Sequence, residues 1–201
     1  MPVRFAEVVR ALPRHAHALP RRTVRESQRW RLLEAVVEAT ARAGYAETTV
    51  ADVIAVAGVS RKTFYEHFAD KEAVFLAAYE VVADRVIAAL VATGAAHADA
   101  DARRTAQVER FLAILDRDRA AARVFMVDVL GAGPVALRRR AVVNQRFAET
   151  VFGDASVPAI RRDAVVGGVN QVVAASLLAF RSQSLMRLAE PLAAFVRAAL
   201  V

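Results

Sequence analysis

The sequence predicts an all-α protein, and three observations carry the prediction. Hydrophobic residues make up 56% of 201 residues, with only 8 Gly and 6 Pro, a mixture rich in helix formers and poor in turn-bounded strand signals. Apolar residues recur at helical spacing from Leu32 onward. Capping residues stand in front of these runs, and glycines close several of them. The length suits one helical unit or a small N-terminal unit fused to a larger body.

Taken in order, residues 1 to 24 carry Pro2, Pro13, Pro20 and several arginines without sustained periodicity, which reads as a flexible basic arm. Ser27 is the expected N-cap of a first helix whose stripe of Leu32, Leu33, Val36, Val37 and Ala39 to Ala43 stops at Gly44. Thr48 and Thr49 precede a short helix from Val50 to Ala57 that ends at Gly58, and Ser60 caps another from Arg61 to His67. Asp70 caps a fourth from Lys71 to about Val91, expected to link the two halves before the pattern dissolves between Ala92 and Asp101. Further helices are expected at about 101–116, 119–130, 134–152, 158–181 and 185–200. Pro134 and Pro158 suit first-turn positions, whereas Pro191 requires the last helix to start later or to kink. The expected units are a basic arm at 1–24, a three-helix unit at 25–72 and a helical body at 73–201.

The net charge of +7 points to a polyanionic partner. Its distribution is more telling. Arg4, Arg10, Arg14, Arg21, Arg22, Arg25, Arg29 and Arg31 face only Glu7 and Glu26 in the first 31 residues. The absence of cysteine removes thiolate chemistry and disulfides and is compatible with a reducing cytoplasm. Met1 to Ala18 is broken by charges and lacks the apolar centre of an export signal. Ala164 to Phe180 is too short and too polar for a membrane span, so no membrane partner is expected. No Gly-rich phosphate loop, nucleophile elbow or zinc-binding helix signature is present, and His15, His17, His67 and His97 lack metal spacing. Asp116 and Asp118, two apart, fall on different helix faces. Neither an enzyme nor a cofactor or metal site is expected.

Gly44 to Val74 carries the function. Two short helices joined by a Gly-containing turn make a helix-turn-helix, whose second helix enters the DNA major groove. Val53, Ala57, Val59, Phe64 and Phe68 can face one small core and leave Arg61, Lys62, Thr63, Tyr65 and His67 on a cationic, polar face. Arg61 and Lys62 suit guanine edges or phosphates, and Thr63 suits a thymine methyl or a phosphate. Thr48 or Thr49, with Ser60 and Lys71, are placed near helix N-termini to meet backbone phosphates. Arg21, Arg22 and Arg25 form either a minor-groove arm or a solvated charge run.

The run Gly44-Tyr45, Thr49, Val59-Ser60, Phe64-Tyr65, His67-Phe68 and Asp70-Lys71 resembles the tetracycline-repressor (TetR) family over roughly residues 27 to 75. Lys62 and Ile54 depart from the family's usual small residues. The resemblance implies a helix-turn-helix DNA-binding domain with recognition contacts from Arg61, Lys62, Thr63, Tyr65 and His67 and phosphate contacts from Thr49 and Lys71. It also implies a C-terminal helical ligand-binding and dimerisation domain, a double-stranded operator, a homodimer and an unknown small-molecule effector. Control without an inducer and, more remotely, a helical enzyme are the alternatives.

The residues themselves leave two readings of Val165 to Phe180 with Leu185, Leu188, Leu192, Phe195 and Val196: an intersubunit four-helix bundle or an intrachain core. Candidate pocket residues are Phe75, Tyr79, Phe111, Phe125, Met126, Asn144, Phe147, Asn170 and Gln171, because ligand pockets are mostly apolar with a few polar groups. Arg138 to Arg140 reads as a solvated charged face.

Overall fold

The structure, a computed structural model, describes residues 21–153, 157–179 and 183–199; the expected arm from Met1 to Pro20 lies outside them. Among the described residues the chain forms nine α-helices: α1 (Arg21–Ala43), α2 (Val50–Ala57), α3 (Arg61–His67), α4 (Lys71–Ala95), α5 (Ala100–Arg117), α6 (Arg119–Met126), α7 (Pro134–Phe152), α8 (Ala159–Ala179) and α9 (Ala189–Ala198). Single 3₁₀ turns, Asp128–Gly131 and Leu185–Leu188, precede α7 and α9.

Local chemistry sets most of these boundaries. Asp70, Asp99 and Asp118 cap α4, α5 and α6 by accepting from the backbone N–H three residues on, at 2.7, 2.7 and 3.0 Å. α1 starts six residues before the expected Ser27 cap, because Arg21 to Glu26 contains no Gly or Pro to stop a helix. The helix expected at 119–130 is instead two elements: α6 ends at Met126, and the tighter turn that follows carries Val129 fully into the core. α9 starts at Ala189, which puts Pro191 in its first turn, where no backbone donor is needed.

α4 runs four residues past its expected end, through Gly94. A Cβ on Gly94 would lie 2.7 Å from the Gln107 side chain of α5, so the glycine allows the close approach of the two helices. One continuous core then runs from Leu32 of α1 through α4 and α5 to Val196 of α9. α1, with α2 and α3 packed on it, lies against α4, as do α5 and α7, and α6, α8 and α9 pack onto these helices to complete the body. No helix among the described residues is long and apolar enough to cross a membrane.

Asp116 staples the end of this body. Its carboxylate accepts from the Ser184 hydroxyl at 2.6 Å, the Leu185 N–H at 2.8 Å and Arg119 at 3.0 Å. Burial works against its ionised form, but these donors outweigh burial and hold the carboxyl below its ordinary range. A depressed folded-state pKa means a contribution that is complete above the unfolded value and lost as pH falls through the folded one. Asp116→Asn is expected to lower the melting temperature at neutral pH, with the gap from the parent protein closing below about pH 4 in a pH series of melts.

Candidate functional site

The second helix of the pair is built by its own sequence. Ser60 accepts from the Thr63 N–H at 3.0 Å and so starts α3. Phe64 is fully buried and Phe68 nearly so, fixing the inward face. The opposite face leaves Arg61, Lys62 and Tyr65 exposed and Thr63 and His67 half-buried, with the Arg61 guanidinium 5.8 Å from the centre of the Tyr65 ring. Burial first, then the charges of Arg25 and Arg29, push the His67 pKa below its ordinary value, which favours the uncharged imidazole.

The turn between the helices is closed by a residue absent from the expected site. Gly58 ends α2 in the left-handed region at φ 60°. Arg31 of α1 reaches across to donate to the carbonyls of Ala57 and, at 2.7 Å, Gly58. It satisfies carbonyls that the helix end would otherwise leave open and brings positive charge to the negative end of the α2 dipole. Arg29 lies 4.7 Å above the Phe68 ring, and Arg25 donates to the Glu66 carbonyl at 3.4 Å. Arg25 therefore sits on a helix braced against α3 rather than on an extended arm. Of Arg21 and Arg22 only the helical backbone is described. The spacing of Arg25 and Arg29 was the available signal, hidden because the first helix was expected to begin only at Ser27.

Three expected phosphate contacts have work inside the protein. Thr48 is a correction: it is 1% exposed and its hydroxyl donates to the Gly44 carbonyl at 2.8 Å, so it closes the α1–α2 turn. Thr49 is exposed, but its N–H and hydroxyl both donate to Asp52, at 2.8 and 2.6 Å. These bonds hold the Asp52 carboxyl below its ordinary pKa, and a phosphate here has to displace a carboxylate. The Lys71 ammonium donates to the Tyr45 and Ala46 carbonyls at 2.8 and 3.3 Å and lies 4.4 Å from the Tyr45 ring centre. It ties the turn to α4 and keeps one donor for a ligand.

This arrangement is a helix-turn-helix: a short cationic helix braced from behind and capped at both ends. Residues 32–78 match the family described as bacterial regulatory proteins, tetR family. Over that stretch the chain carries a DNA-binding domain of the TetR type. No curated protein matches it. Solved structures share its fold. The fatty acid degradation regulator FadR from Bacillus halodurans is 17% identical with a TM-score of 0.75, covering 84% of this chain and 94% of its own. FadR from Bacillus subtilis in complex with stearoyl-CoA is 15% identical with a TM-score of 0.75, covering 85% and 98%. A TetR family regulator from Marinobacter aquaeolei is 22% identical with a TM-score of 0.61, covering 86% and 96%.

The body of the chain holds two adjoining pockets, of about 40 and 50 Å³. The first gathers Tyr79, Val82 and Val86 of α4, Phe111 of α5, Phe125 and Met126 of α6, Arg140, Asn144 and Phe147 of α7, and Asn170 of α8. Seven of the nine expected pocket residues are among these. Two are corrections. Phe75 is fully buried and packs edge-on against Tyr45, ring centres 4.7 Å apart, in the core beneath the reader. Gln171 is exposed, one residue and about 100° of helix away from the inward-facing Asn170. Arg140, expected on a solvated face, lines the pocket instead. The Asn170 side chain donates to Asn144 at 3.0 Å. Burial pushes the Tyr79 phenol up to about 12.

Gly58→Val combines a backbone conformation that β-branched residues disfavour with a Cβ 3.0 Å from Arg31. It is expected to cost about 1–3 kcal/mol by urea denaturation. Arg31→Ala is expected to cost about 1–2 kcal/mol through the loss of the turn-closing donors.

Proposed function

We propose that the protein is a repressor that binds a roughly palindromic operator as a homodimer and lets go when a small molecule enters the body. The observation that carries the DNA half of this reading is α3, with Arg61, Lys62 and Tyr65 exposed on a helix whose other face is locked by Phe64 and Phe68. Arg25 and Arg29 flank that helix, so the cationic face spans two elements. Such a reader covers one half-site, and two copies are needed for half-sites about one helical turn apart or a multiple of it.

A second copy has an apolar face to meet. Val172 and Leu178 of α8 and Phe195 of α9 are 42%, 54% and 44% exposed. Gly168, Val172, Leu188, Pro191, Leu192 and Phe195 line a groove there. Large exposed apolar side chains gathered on a helix pair mark an association surface, and α8 with α9 from two copies makes a four-helix bundle.

Ligand control is supported by the pockets and by what α6 touches. Phe125 and Met126 line the first pocket, while α6 also packs against α1. The turn after it places Asp128 3.9 Å from where a Cβ would stand on Gly44, at the reader's first turn. An occupant that moves α6 shifts the balance between reader spacings that fit the operator and spacings that do not. The similarity in fold to a regulator holding stearoyl-CoA supports this over control by abundance or by a protein partner. Cytoplasmic location follows from the DNA target.

Selection of purified protein on a DNA library, followed by salt titration, tests the reading. An inverted repeat is expected, with log affinity falling against log salt by about 0.9 per phosphate neutralised. Sequence-independent capture would overturn the operator reading. On the selected site Arg61→Ala is expected to cost about 1–3 kcal/mol and to relax base preference at one position in each half-site; uniform weakening on all sequences would make Arg61 a phosphate contact.

A further inference from the structure

The two pockets adjoin, since both are lined by Phe111, Phe147 and Asn170, and form two lobes separated by the two rings. Their chemistry differs. The first lobe holds Arg140, the only charged lining residue among the described residues, together with Tyr79. Arg140 is half-buried and pairs with no carboxylate among the described residues, whereas the neighbouring Arg139 is paired with Glu80 at 2.5 Å. The Tyr79 side chain is 6% exposed, lies within the electrostatic reach of Arg140, and has no hydrogen-bond partner among the described residues. A guanidinium and a phenol that line the same pocket offer donors to an anion at the edge of an apolar space.

The second lobe is walled by Leu90, Val108, Val165, Val166 and Val196. Its one further polar residue, Gln107, donates to the Leu90 carbonyl at 3.2 Å, and its side-chain oxygen is buried without a hydrogen-bond partner among the described residues. Between the lobes Phe111 and Phe147 meet edge to face, ring centres 5.8 Å apart at 65°. The two rings are in contact and stand between the lobes, so an occupant that crosses has to part them, which a slim extended chain does with less displacement than a fused ring system.

We propose that the cavity takes an unbranched aliphatic chain with a single anionic head, the head held by Arg140 and Tyr79 and the chain passing Phe111 and Phe147 into the second lobe. This rests on the reading that the body binds a small ligand and specifies its class. The head is the carboxylate of a free fatty acid or a phosphate of an acyl-CoA. The first suits a half-buried Arg, and the second would also draw on the exposed Arg138 and Arg139.

The test is calorimetric titration of the full chain with hexanoate, decanoate, palmitate, decanol and palmitoyl-CoA, each also added to the operator complex. Affinity for the acids is expected to rise about three- to fourfold per added CH₂ until the second lobe is full. Arg140→Leu is expected to weaken decanoate about ten- to a hundredfold and to leave decanol unchanged, with Arg140→Lys restoring part of the loss. Val166→Trp, which fills the second lobe, is expected to weaken palmitate while sparing hexanoate; melting curves confirm that each variant is folded. Binding of palmitoyl-CoA without palmitate, lost in Arg140→Leu, also supports the proposal and assigns the anion to phosphate. Equal binding of acid and alcohol, affinity independent of chain length, or indifference to Arg140→Leu overturns it. Acid binding that leaves the operator complex intact upholds the ligand class and overturns ligand control. Operator release by another compound while no chain binds does the reverse.

Discussion

α4 is the constraint on which the rest of the molecule depends. At 25 residues it is about 37 Å long, and it belongs to both working parts. Its first turns supply Val74, Phe75 and Ala78 to the core beneath the reader, and its later turns supply Tyr79, Val82, Val86 and Leu90 to the cavity. A packed interior does not deform continuously. A helix shared by two such interiors therefore forces them to adopt compatible positions. The reader cannot be a passive appendage, because its core continues without a break into the body.

Around α3 charge is divided by function. Arg61 and Lys62 stand outward, while Arg31, Arg29 and Lys71 spend most of their donors or their faces on the protein itself. These inner cations fix the angle at which the outer ones are presented. A reader works only if its side chains arrive at base edges within the tolerance of a hydrogen bond. The Asp52 carboxylate adds a filter: it occupies the α2 N-terminus that a phosphate would otherwise take.

Where a structural decision was local, it was legible in the sequence. α2 and α3 have the expected limits because Thr49, Gly58, Ser60 and Asp70 are caps whose effect is confined to one turn. Side-chain direction was less legible. Thr48 and Thr49 are chemically identical neighbours, and only the tertiary turn decides which hydroxyl points inward. Phe75 and Tyr79 lie on the same face of α4 one turn apart, yet one seals the reader core and the other opens onto the cavity. Arg138 to Arg140 reads as one charged run, but successive residues turn by about 100° on a helix, and the third comes round to the cavity wall. Arg31 was counted as charge and not as a clamp, because its partner carbonyls lie 26 and 27 residues away.

A ligand shifts operator affinity only by the difference between its affinities for the two arrangements, and a hundredfold shift requires about 2.7 kcal/mol. Each buried CH₂ supplies about 0.8 kcal/mol, so three or four of them suffice when they are buried in one arrangement and exposed in the other. The contact of Phe111 with Phe147 is where that difference can arise, since closed rings deny a chain the second lobe. Phe147 sits on α7, which is tied to α4 by Arg146 to Asp84 at 2.6 Å and Arg139 to Glu80 at 2.5 Å. Exposed pairs of this kind contribute less than about 1 kcal/mol each, too little to carry the shift. On the proposed ligand control the burden would fall on packing: a chain that moved Phe147 would push α7 against α4, whose first turns carry the core beneath the reader, while the ion pairs would hold the register of that push.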